Sequence, residues 1–279
     1  MELPNVSFAI DTAKVYYNPS VSENYVIATL NITEDMVGQD VMVVPDLEGI
    51  DWSQTNFEQP LYDTIVKGVY VDGELVECGV HLFQSSVPML IYKFTSAKQY
   101  EVKVVYESLG ISFMMYGLLG INTESESNLN TSYSLTSLDV SHLDTSKVQM
   151  FTNMFGWLTE QDNLDYIIGL KDLNVSNATD MSTMFMGCNK LKTLDLTSWD
   201  ISNVTNMQMM FIYCNELTEL RMGGNPCSLT NANGMFDVIN TNGKFYYNSA
   251  YDYSLILAEL PSTWEAVPCT LVDGVLIPN

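Results

Sequence analysis

Apolar and polar positions along this chain follow two patterns that meet near residue 108. Before it, short segments alternate apolar and polar residues, the period of a half-buried strand. The candidate strands are 7–10, 14–17, 25–32, 39–44, 64–71, 75–78, 81–84, 89–94 and 99–106. Turn residues separate them, and Asp72-Gly73, set between VYV and ELVE, is the strongest hairpin signal. Many short strands at this spacing predict an antiparallel β-sandwich of immunoglobulin-like size over residues 1–108, with an anchoring or assembly role.

After residue 134 the pattern repeats itself. Met184-Phe185 recurs as Met210-Phe211, Cys188 as Cys214 and Leu194 as Leu220, each 26 positions on. Every unit opens with L-x-x-L-x-L/V/M: Leu135, Leu138, Val140; Leu170, Leu173, Val175; Leu191, Leu194, Leu196; Leu217, Leu220, Met222. Its last three residues point in, out and in, as in a strand. Val204, Met207, Met210 and Phe211 then sit at i, i+3, i+6 and i+7, which predicts a short helix capped by Ser202 or Asn203. One strand and one short helix cannot bury their apolar sides alone; stacked copies can, so a solenoid follows. The spacing from Leu138 to Leu173, Leu194 and Leu220 is uneven at 35, 21 and 26 residues. That places an insertion after Phe155 and a missing turn in the second copy.

The copies LTSLDVSHLDTSKVQMFTNMF and LDLTSWDISNVTNMQMMFIYC resemble the 26-residue bacterial surface-protein repeat of the BspA-like leucine-rich-repeat family, over about residues 135–245. The resemblance implies a leucine-rich-repeat fold and a binding role, often at microbial or phage surfaces. It implies no catalytic residues. Arrays of that family often end in an F-Y…W segment, which implies a capping role for Phe245, Tyr246 and Trp264. The expected fold is therefore mainly β with short helices: an N-terminal antiparallel β-sandwich, then a short leucine-rich-repeat solenoid. The expected divisions are 1–108, a cap and linker over 109–134, the solenoid over 135–245 and a C-terminal cap over 246–279. In the linker, the apolar run 111–121 is expected to cover the first end of the solenoid. In the cap, a tyrosine lid (Tyr246, Tyr247, Tyr251, Tyr253) and a closing hairpin at Asp273-Gly274 or an irregular ending are expected.

Charge narrows the partners. Eleven basic against 34 acidic residues give a net charge of −23. The excess is spread over the chain, with five basic and sixteen acidic residues in 1–110. Such a surface repels polyanions and excludes nucleic acid as a partner. The start of the chain has neither a basic nor an apolar signal region, and the run 111–121 is too short to span a bilayer, which takes roughly 20 residues. Either the numbering is that of a mature form with an added Met, or export by a signal peptide does not occur; membrane insertion is not expected.

Candidate chemistry is sparse. His81 and His142 have no metal-ligand spacing around them, and no phosphate loop, dinucleotide fingerprint or nucleophile elbow is present. No cofactor is expected. Glu160, Asp162 and Asp165 are a weak candidate for a divalent cation, set against a solvated loop. Cys188 and Cys214 share a repeat position; a disulfide and a ladder of buried thiols both fit. The better candidate is a surface. The outward residues of successive strands form a column of Asp139, Asn174, Asp195 and Arg221, flanked by Thr193 and Glu219. Short polar side chains on a flat ladder make a binding face, set against a merely wet sheet. The reading is a non-enzymatic structural or interaction protein: a bacteriophage virion component made in the host cytoplasm, or else a secreted bacterial adhesin. Its partners would be virion proteins, a host receptor or a glycan, with homo-oligomers possible; a carboxylate-based glycan hydrolase is the remote third.

Overall fold

The computed structural model describes residues 24–44, 65–83, 87–108, 134–156, 167–239 and 241–279. The expected strands at 7–10 and 14–17, the run 111–121 and the acidic trio Glu160, Asp162 and Asp165 lie outside them.

The first unit holds β1 (Asn24–Ile32), β2 (Val41–Val44), β3 (Ile65–Val71), β4 (Glu74–Val76), β5 (Gly79–Phe83), β6 (Val87–Tyr92) and β7 (Lys98–Ser108), all paired antiparallel. They form one sheet in the order β4-β3-β7-β1 and another in the order β2-β6-β5. Alternation decides which face is dry. Val26, Ala28, Leu30 and Ile32 of β1 are buried together with Tyr100, Val102, Val104 and Tyr106 of β7. Asp72 and Gly73 both take positive φ (48° and 82°), the two-residue turn whose twist suits a hairpin, and β3 pairs with β4 across it.

The second unit is a solenoid of parallel rungs. It starts at β8 (Ser134–His142) and continues through β9 (Thr193–Leu196), β10 (Glu219–Met222), β11 (Gly243–Asn248) and β12 (Trp264–Val272). Leu194, Leu220, Phe245 and Ala266 stand opposite one another in consecutive strands. β13 (Val275–Pro278) folds back antiparallel on β12 through Asp273 and Gly274, so the expected closing hairpin is present. The parallel ladder runs through β11 and β12 before that hairpin ends it. Tyr253, just before α1 (Ser254–Ala258), is buried and donates its hydroxyl to the Met222 carbonyl (3.0 Å).

Two expectations change. The second rung is registered differently. Ile168, not Asn174, bridges Asp139: the Val140 N–H donates to the Ile168 carbonyl and the Ile168 N–H to that of Leu138 (3.0 and 2.9 Å). Leu173-Asn174 instead falls at the next corner, where Thr145 Oγ1 donates to the Asn174 carbonyl and Asn203 Nδ2 to the Ser176 carbonyl. Leu173 thus stands where Trp199 stands one rung later. Gly169 lets this rung turn: its φ is +78°, and a Cβ there would collide with the Ser141 backbone.

The second half of each repeat is not helical. Asn153, Thr183 and Met209 take φ near 55°, and Gly234 takes +64° at the matching position. Alternate N–H groups close i→i−3 turns, as Met184 to Met181, Met186 to Thr183 and Cys188 to Phe185. The N–H groups between them cross to the next rung, as Thr183 to Gln208, Phe185 to Met210 and Gly187 to Ile212. A helix would keep all these donors within one rung; the turns use half of them to join neighbours. The apolar face is the one expected, with Met181, Met184, Phe185, Met207, Met210 and Phe211 fully buried. Phe155, Phe185, Phe211 and Phe236 stack through the core at 5.3, 5.6 and 5.8 Å between centroids. Cys188 and Cys214 form no disulfide; their thiols donate to the Phe155 and Phe185 carbonyls (3.0 and 3.1 Å), so the disulfide alternative falls. Burial pushes the Cys214 thiol up to about 12.

The two units share a strand. β8 pairs antiparallel with β1 on one side and bridges Ile168 in parallel on the other. The open edge of the first rung is thereby covered by β1.

Candidate binding face

The outward column is real but differs in membership from the expected one. Asp195, Arg221, Tyr246 and Val267 stand in register on β9 to β12, and Thr193, Glu219, Lys244 and Glu265 stand in register beside them. Asp139 stands two rungs before Asp195, bridged to Ile168 of the intervening rung. Asn174 is not in the column. Its Oδ1 accepts from the Ser176 N–H (3.1 Å) at the corner described above. The L-x-x-L template ends at Met222 and so passes over Lys244, and the expected cap over 246–279 takes in Tyr246 and Glu265. The signal was there: Phe245 follows Leu220 by 25 residues, and its neighbours alternate with it.

Charges on this face answer one another. Arg221 Nε donates to Glu219 Oε1 at 2.7 Å, and its guanidinium lies 4.3 Å over the Tyr246 ring. The Glu219 hydrogen bond, chiefly, holds Arg221 more firmly protonated than usual. Lys244 pairs with Glu265 at 3.0 Å, and that bond does the same for the lysine. Arg221 and Glu219 are half-buried, whereas Lys244 and Glu265 are open to water, which screens their pair and leaves it contributing little to stability. Asp195 is partly engaged, because its Oδ1 accepts from the Thr197 N–H (3.0 Å). Asp139 does the same for Ser141 (2.9 Å).

The remaining candidates offer less. His142 is exposed at the end of β8, stacked on Tyr25 at 4.3 Å; His81 lies in β5. Among the described residues, no three His, Cys, Asp or Glu side chains converge as a metal site would require. No helix among them is long and apolar enough to cross a membrane. A shallow cavity of about 140 Å³ lies between the Pro226 corner and α1, lined by Cys227, Leu229, Tyr253 and Leu255 among others.

No curated protein and no solved structure matches this chain. Residues 124–248, from just before β8 to the end of β11, are similar to a family described as Mycoplasma protein of unknown function, DUF285.

Proposed function

We propose that this chain is a non-enzymatic interaction protein whose solenoid presents its strand face to a protein partner. The supporting observation is the Glu219–Arg221–Tyr246 group, an ion pair stacked on an aromatic ring near the centre of the ladder. Arginine and tyrosine dominate the energetics of protein interfaces, and mixed charge in fixed register gives specificity and on-rate. Asp195 and Lys244 flank the group and extend the alternation of sign.

Two settings suit such a protein, a phage virion and a bacterial cell surface. The similarity to a family of mycoplasma proteins favours a bacterial setting over a phage one. A photo-crosslinker placed at exposed Thr193 tests the face and the setting together. Adducts with a protein of purified particles or of cell envelopes, lost in Arg221→Glu, are expected. Failure to form any adduct in both fractions, with the variant as thermostable as the parent, would retire the face. Asp195→Lys is expected to weaken the same capture and to lower the melting temperature by only a few degrees, since it removes one turn-capping hydrogen bond.

A further inference from the structure

The opposite side of the solenoid carries a second surface of different chemistry. There the rungs meet through the parallel bridges Met150–Asp180, Asp180–Asn206 and Asn206–Asn231. Beside these bridges runs an exposed column of Thr179, Thr205 and Thr230. Thr205 Oγ1 donates to the Thr179 carbonyl and Thr230 Oγ1 to the Thr205 carbonyl (3.1 and 3.0 Å). Two residues before each of the first two threonines stand Asn177 and Asn203, also exposed. Their Nδ2 atoms donate to the Ser146 and Ser176 carbonyls one rung away (2.7 and 2.8 Å).

Three properties of this face point the same way. It is nearly uncharged on a chain of net charge −23, with Lys147 at one end and Asp180 in the bridge column the ionised groups among these columns. Its side chains are fixed before any ligand arrives, because each is tied to the neighbouring rung; binding then costs little side-chain entropy. Its hydroxyl protons are already donated, so the threonine oxygens remain as acceptors. A surface of fixed acceptors suits a ligand rich in hydroxyl donors. Anionic polymers are repelled by the chain as a whole, and a cationic one would prefer its acidic faces.

We infer that the threonine–asparagine face is a binding surface for a neutral polysaccharide lying across the rungs. This surface is separate from the strand face and does not depend on its role. Native gel electrophoresis of the full chain through dextran, mannan or laminarin, with heparin as the anionic control, tests it. Retardation by at least one neutral polymer, and none by heparin, is expected. The triple change Thr179→Val, Thr205→Val and Thr230→Val keeps side-chain shape and removes the oxygens, and it is expected to abolish the retardation; Arg221→Glu is expected to leave it intact. If the triple variant does not fold, Thr205→Arg alone, which places bulk and charge mid-column, takes its place. Migration unaffected by all three neutral polymers, or retardation that survives these threonine changes in a folded chain, overturns the inference.

Discussion

The strand face and the turn face are made by the same rungs, yet they solve the problem of stacking in opposite ways. Parallel rungs bring matching positions within about 4.8 Å of each other. A charge repeated at one position would therefore meet itself. On the strand face the sign alternates instead, as Glu219, Lys244 and Glu265 in one column and Asp195 and Arg221 in the next. On the turn face the residues repeat nearly unchanged, as Thr179, Thr205 and Thr230, and they can because they are neutral. The bridge column shows the boundary case. Asp180 accepts from Asn206 Nδ2 (2.9 Å), and Asn206 accepts from Asn231 Nδ2 (2.9 Å), so one carboxylate ends a ladder of amides. Repetition in sequence thus favours neutral ladders, and charge enters a stack only where the copies diverge.

Four changes test this contrast. The largest effect is expected from Phe211→Ala, which empties the centre of the ring stack beneath both faces; about 3–5 kcal/mol of stability should be lost in denaturant titration. A loss below about 1 kcal/mol would mean the stack is not the common support. Asn206→Asp comes next, since it removes a donor to Asp180 and sets two carboxylates side by side. A cost of about 1–3 kcal/mol at pH 7, shrinking as the pH approaches 4, is expected. Lys244→Glu lines up three like charges on the strand face and should lower the urea midpoint slightly, most of the loss being recovered in 1 M salt. A salt-independent cost would show that alternation of sign is not what this face requires.

The smallest effect is the response to acid. Asp144 is held below its ordinary value, mainly by the Ser146 side chain and then by its N–H; Asp72 is held down mainly by its hydrogen bond to Lys98. Both bind fewer protons folded than unfolded, so their contribution is complete above the ordinary value of 3.8 and is lost as the pH falls through the lower folded value. The urea midpoint should therefore fall between pH 5 and pH 3, and Asp144→Asn should flatten part of that fall. An unchanged slope in the variant would remove Asp144 from the account.

Much of this was legible in the residues, and the misreadings are specific. The two Asp-Gly turns, the alternation in β1 and β7 and the buried Met-Phe pairs all follow from side-chain character alone. LKDLNV fits the strand template better than Ile167-Ile168-Gly169 does, yet the latter makes the bridge of the second rung. What decides is backbone geometry: Gly169 adopts a left-handed turn, and Trp199 Nε1 donates to the Leu170 carbonyl (2.9 Å). Apolar spacing of three and four residues predicts a helix but serves these turns equally well. Spacing reports which side chains face inward and says nothing of where the N–H groups go.

The sequence by itself determined that copies of a short apolar unit must stack, because no copy can shelter its own oily side. Tertiary structure alone decided how the stack begins. β8 reaches back more than a hundred residues to pair with β1, as Thr29 with Ser137, and the same strand carries the first parallel bridge. That choice is made by unpaired N–H and C=O groups on a strand edge. Every residue but proline carries both, so no pattern of side chains announces it.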